Sequence, residues 1–292
     1  MFSSRVVTAI AGIFLLILSG FLVFNHFSTR SPDEGTERSV RSEKSFDEET
    51  RGELVIVLDD CGYSTRNLRA LLDLEVPVTL AVLPDTPYAS HVARSASGRG
   101  KEVIVHMPME PLDGSAALEK STVKLGMRPE EIRKMFSDAV AAVPGAAGVN
   151  NHMGSKLTAD PYSMEILFEE IGKRDLFFLD SLTTAGSVCS EIGNAKGVTV
   201  LKRDIFIDNV NDEDHIKGQM EKIRSILDEG GTVLAIGHDR PVTVRVISEY
   251  VDEFKSMGVK FTTLSALAGK RTGPFEGSGN TVEAMSPPRE RD

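Results

Sequence analysis

Short apolar runs that stop at a histidine or an aspartate recur along the middle of the chain. The first, Leu54-Val-Ile-Val-Leu58, ends at Asp59-Asp-Cys-Gly62. Val103-Ile-Val105 stops at His106, Gly148-Val-Asn-Asn151 at His152, Phe177-Phe-Leu179 at Asp180, and Val233-Leu-Ala-Ile-Gly237 at His238. Runs this short, bounded by turn-forming residues, read as buried parallel strands. The residue that closes each run then lies at the carboxyl end of its strand, where parallel α/β folds build their sites. Five strand ends are expected to converge on one polar site.

Amphipathic segments of helical length separate the runs, over 64–74, 84–96, from Pro129, over 161–172, 211–229 and 242–257. Pro129 reads as a first-turn proline with Glu130 and Glu131 at the positive helix end, and Gly230-Gly231 stops the helix before them. Further strands are expected at 78–83 and 198–201, with a closing run at 260–264. This βα alternation across 53–269 predicts a parallel α/β domain. Seven or eight strands favour a compact βα barrel, complete or incomplete, and an open doubly wound sheet is not excluded by the count. No glycine-rich dinucleotide or P-loop fingerprint follows any strand.

The ends of the chain differ from this pattern. Residues 6–24 form an apolar run of 19 residues preceded by Arg5, near the roughly 20 that a helix needs to cross a bilayer. The run exits without a small-x-small cleavage signal, so segment 1–30 is expected to be an uncleaved signal anchor. That places the domain in the periplasm, tethered to the inner membrane, or secreted if the segment is cleaved. Residues 31–52 read as a charged linker and 270–292 as a disordered tail. The net charge of −10 offers nothing to neutralise phosphates and argues against nucleic acid as partner. Cys61 and Cys189 are the only thiols, either free or paired, and their spacing is not that of a metal site.

Histidine and carboxylate at several strand ends suit one divalent ion such as zinc, which takes nitrogen and oxygen donors and lowers the pKa of bound water to about 7. A nearby carboxylate can accept a proton and a histidine can return one to a leaving group. Each residue alone also has an ordinary role: an Asp pair caps turns, and His91 and His215 fall within helical segments. The coincidence of three histidines with strand ends favours a shared site.

The motifs Leu58-Asp-Asp-Cys-Gly62, His106-Met-Pro-Met-Glu-Pro111, Asn150-Asn-His-Met-Gly-Ser155, Phe178-Leu-Asp-Ser181 and Gly237-His-Asp-Arg-Pro241, in this order, resemble the divergent polysaccharide deacetylase family. The resemblance implies a distorted seven-stranded βα barrel, one divalent metal, usually zinc, and removal of acetyl groups from N-acetylated sugars. It implies Asp59 as general base, Asp60 and His106 as metal ligands, His238 as general acid, and Asp180 as a carboxylate that orients a histidine. The wider superfamily's His-x-x-x-His-Pro reads here with Glu110 in place of the second histidine. Either Glu110 serves as an oxygen ligand or His152 supplies the nitrogen, and His152 is favoured because it ends a strand. Asn150-Asn151-His152 stands where an Arg-Pro-Tyr motif is typical, and Asn151 is a further candidate beside the metal. The implied function is hydrolysis of an envelope glycan's acetyl groups. The alternatives are a glycan- or partner-binding protein that keeps the site, and hydrolysis of a different bond.

Overall fold

The apolar runs are strands because each buries both faces. The computed structural model describes residues 51–271, and within them every strand pairing is parallel. The strands are β1 (Glu53–Cys61), β2 (Thr79–Val82), β3 (Glu102–Met109), β4 (Gly148–Met153), β5 (Phe177–Asp180), β6 (Val200–Lys202), β7 (Ile205–Phe206), β8 (Thr232–His238) and β9 (Lys260–Phe261). Their order is β6-β5-β4-β3-β2-β1-β8-β7, with β9 beside the start of β1. The helices are α1 (Leu68–Asp73), α2 (Ala89–Gly98), α3 (Pro129–Ala142), α4 (Pro161–Gly172), α5 (Cys189–Lys196), α6 (Glu213–Asp228), α7 (Pro241–Ser256) and α8 (Leu264–Arg271).

The sheet curls into a distorted, incomplete barrel whose two edge strands, β6 and β7, are consecutive in the chain. Arg203-Asp204 crosses the seam between them. Arg203 N donates to Asp180 C=O at 3.2 Å on one side, and Asp204 N donates to Leu234 C=O at 2.9 Å on the other. The sequence pattern predicts seven strands and a closing run. It misses β7, because two residues are too few to show a period, and it takes the segment from 264 as the end of a strand where α8 begins.

Alternation divides the core. Outward-facing Leu54, Ile56, Leu58, Val103 and Val105 pack in the large cluster with the helices. Inward-facing Val55, Val57, Ala81, Ile104, Leu179, Leu234 and Ile236 form a second cluster with Leu264, Leu267 and Ala268 of α8. Glu102 anchors this helix, accepting from Leu264 N at 2.8 Å and Ser265 N at 3.0 Å, which satisfies two amides that a helix start leaves unpaired. The barrel interior is thus filled with apolar side chains by strands and α8 together, and polar side chains take the carboxyl ends of the strands. Gly148 is needed inside this packing, since a Cβ there would meet the Phe177 ring at 2.4 Å.

Cys61 and Cys189 are both buried and free. Among the described residues, no helix is long and apolar enough to cross a membrane. The apolar run 6–24, the charged stretch up to 50 and the tail from 272 lie outside the described residues.

Candidate metal centre

A period of two places most of the site. Val55 and Val57 face the interior, so Asp59 does too; Ile104 brings His106 inward, and Leu234 and Ile236 bring His238. By the same rule Asp60 would point at the helices. A bulge prevents this: Leu58 pairs with Leu80 but Cys61 with Val82, so three steps on β1 match two on β2. Asp60 adopts φ 60 at this point, a left-handed conformation that non-glycine residues seldom take. Gly62 follows at φ 114, where a Cβ would lie 2.2 Å from Thr86 Oγ1. Met153 and Leu182, at the ends of β4 and β5, also have positive φ. Three of the four non-glycine residues with positive φ among the described residues thus lie around the mouth, Asp175 before β5 being the fourth.

Asp60, His106 and His152 converge there. Asp60 Oδ1 lies 3.3 Å from His106 Nε2 and 3.1 Å from His152 Nδ1, and the two ring nitrogens are 3.1 Å apart. Asp60 Oδ1 is buried without a hydrogen bond of good geometry. Three donor atoms that close are held together either by protons on the rings or by a cation among them. Ligands on bonds of about 2.0–2.1 Å in a tetrahedral site sit about 3.3 Å apart, so the three residues could hold a metal ion.

Around this triad stand two further groups. Asp59 is buried, with Oδ2 3.7 Å from His106 Nε2 and Oδ1 accepting from Asn150 Nδ2 at 2.8 Å. His238 lies on the opposite side, its Nε2 4.0 Å from Asp60 Oδ2. Its Nδ1 bonds Asp208 Oδ1 at 2.7 Å, while Asp208 Oδ2 accepts from His238 N at 3.0 Å and Thr243 Oγ1 at 2.6 Å. The imidazole stacks on Phe206, centroids 5.5 Å apart and planes 9° from parallel, and the Arg203 guanidinium covers that ring at 4.5 Å.

Burial and charge set the protonation of these groups in opposite directions. Burial raises Asp59 above the usual carboxylate range, against the lowering effect of His106 and His238. For Asp60 burial acts upward too, but the His106 and His152 rings outweigh it and hold the carboxyl far below its usual range. Burial disfavours charge on His106, yet Asp59 and Asp60 overcome it and raise the ring to about 9. His238 is likewise raised, burial being outweighed by Asp208, and Asp208 is lowered because its His238 bond outweighs burial.

The sequence profile of the divergent polysaccharide deacetylases matches residues 56–268, a stretch that holds all of these residues. The chain belongs to this family. It is 38% identical over 200 residues to the uncharacterized protein YibQ of Escherichia coli K12, covering 68% of this chain and 62% of that protein. An uncharacterized Haemophilus influenzae protein is 34% identical over 197 residues, covering 68% of this chain and 70% of its own. The chain therefore spans about three fifths of the E. coli relative's length. The crystal structure of an uncharacterized Agrobacterium tumefaciens protein superposes with a TM-score of 0.70 at 22% identity, over 74% of this chain and 89% of that one. This likeness is one of fold.

Within this deacetylase-family domain, four of the five expected strand ends meet. The fifth does not. Asp180 faces away from the histidines, accepting from Leu182 N at 2.9 Å and Ser187 Oγ at 2.6 Å, so it braces the loop after β5. The carboxylate placed on a histidine is Asp208. Glu110 is likewise engaged elsewhere, with Lys156 Nζ at 2.6 Å and Leu125 N at 2.7 Å. Asn151 bonds Met153 C=O at 2.7 Å and Ser181 N at 2.9 Å, and the asparagine that touches the site is its neighbour Asn150. Sequence reasoning missed Asp208, Asn150 and Phe206. The signal for Asp208 was present: Ile205-Phe-Ile207-Asp208 is one more apolar run ending in a carboxylate.

Proposed function

We propose that the chain is a metal-dependent hydrolase that removes acetyl groups from an N-acetylated glycan of the cell envelope. The observation that carries this reading is the meeting of an Asp60–His106–His152 donor triad with a separately held carboxylate and a carboxylate-bound histidine in one barrel mouth. A divalent cation held by Asp60, His106 and His152 would polarise the acyl oxygen and make a water acidic enough to attack near neutral pH.

The chain's own groups then handle the protons. Asp59 Oδ2, free of the Asn150 bond, accepts the proton of the attacking water, a task that its raised proton affinity suits. The water oxygen joins the acyl carbon. As the carbon–nitrogen bond breaks, His238 Nε2 gives its proton to the leaving nitrogen, while Asp208 holds the ring through Nδ1 and stabilises its charge. The half-exposed Tyr63 ring, just past the Asp60 turn, offers a flat amphipathic face of the kind that packs on a sugar.

The anchor-like run 6–24 supports an envelope placement, with the inner membrane and the glycan as partners. The test is acetate release from N-acetylglucosamine oligomers by the zinc-loaded chain and by Asp59→Asn. Release by the wild type, abolished in the variant, is expected. Glycan binding without acetate release from either would point instead to a binding protein that has kept the site.

A further inference from the structure

Asp59 and Asp60 are adjacent carboxylates in one mouth, and what separates their chemistry is how each is held. Asp60 Oδ1 faces both triad histidines, at 3.3 and 3.1 Å. Asp59 Oδ1 instead accepts from Asn150 Nδ2 at 2.8 Å. Asn150 is fully buried, and the other end of its amide, Oδ1, lies 2.8 Å from His106 Nδ1. An amide oxygen only accepts and an amide nitrogen only donates. The Asp59 carboxylate therefore takes the NH2 end, which turns the oxygen toward the imidazole and requires Nδ1 to carry hydrogen. A neutral His106 is left with one lone pair, at Nε2, facing Asp60 and His152.

We propose that Asn150 is the positioning residue that assigns these roles: it makes His106 a ligand through Nε2 and keeps Asp59 off the ion as the proton acceptor. This rests on the metal-hydrolase reading above. The amide is braced against rotation, because Asn150 Nδ2 also reaches Ser181 Oγ at 3.4 Å and that hydroxyl donates to Asn151 C=O at 3.1 Å. Ser181, just past β5, thus fixes the asparagine, and the asparagine fixes both neighbours. His152 presents its other nitrogen, Nδ1, so the two histidines would hold an ion through opposite ring atoms.

The proposal is tested on the full-length chain, loaded with zinc and labelled with 15N-histidine, by long-range proton–nitrogen correlation. The expected pattern is His106 metallated at Nε2 with Nδ1 protonated, and His152 metallated at Nδ1. His106 bound through Nδ1 would overturn the assignment. The second arm compares Asn150→Asp and Asn150→Ser with the wild type, by zinc affinity against a chelator and by the visible spectrum of the cobalt-loaded protein. Zinc affinity changed by at least ~10-fold and a changed cobalt spectrum, as Asp59 swings onto the ion, are expected. Affinity within twofold and an unchanged spectrum in both variants would overturn the proposal while the metal site stands. Zinc absent from the wild type would overturn both. Should both variants fail to fold, the wild-type ring assignment decides alone.

Discussion

The two halves of the barrel mouth solve different problems. On the β1, β3 and β4 side, Asp60, His106 and His152 crowd three donor atoms to 3.1–3.3 Å with a buried carboxylate oxygen left without a good hydrogen bond. On the β7 and β8 side, His238 and Asp208 are complete in themselves, with Asp208 accepting from a ring nitrogen, a backbone amide and the Thr243 hydroxyl. The first half is balanced only by something added from outside. The second needs nothing more, and its histidine keeps one nitrogen turned toward the first half. A group of crowded donors with an unmet need suits a bound ion, and a satisfied pair with one free end suits the passing of a proton.

Separating the halves is the sharpest way to test that contrast. His238→Ala is expected to lower acetate release by roughly 100- to 10,000-fold, the usual worth of a positioned general acid, while zinc content per chain stays at the wild-type value. Asp208→Asn keeps the shape but removes the charge, and a smaller fall of about 10- to 100-fold is expected. Loss of zinc in either variant, read by elemental analysis, would erase the distinction.

A proton can stand in for the ion in the first half, and this gives a pH signature. His106, raised from 6.5 to about 9, contributes stability to the metal-free chain that is fully present below about pH 6.5 and is lost as pH rises through about 9. Protons also compete with zinc for the same nitrogens. The rise in melting temperature caused by zinc is therefore expected to grow between pH 6.5 and 9. A zinc effect independent of pH across that window would contradict the account.

The smallest expected effect concerns the stack beneath the proton donor. An aromatic pair contributes about 0.5–1.5 kcal/mol, so Phe206→Ala should lower acetate release by roughly 2- to 10-fold without altering zinc affinity. An equal loss of zinc affinity would show that the two halves are packed as one unit.

The same contrast governs what could be read from the chain. Period-two alternation carries Val57 to Asp59, Ile104 to His106 and Ile236 to His238, so the parallel barrel and most of the mouth were legible. The run before Asp180 looked identical to the others, yet the residue lies one step out of phase with inward-facing Leu179 and turns to Ser187. Asp60 is out of phase as well, and only the bulge at φ 60 returns it to the mouth. No pattern of residue types announces a bulge at an aspartate. Asp208 went unseen because β7 is two residues long and pairs across the seam. Asn150 was legible by the same rule, since a period of two puts it on the face of His152 and Asn151 on the other.

The most direct measurement is zinc per chain, by elemental analysis of the full-length protein and of His106→Ala, His152→Ala and His238→Ala. One ion in the wild type and in His238→Ala, lost in the other two, is the expected result. A wild type that takes up no ion when zinc is supplied, or a His106→Ala and His152→Ala pair that keeps it, would contradict the claim that this half of the mouth is built around a metal.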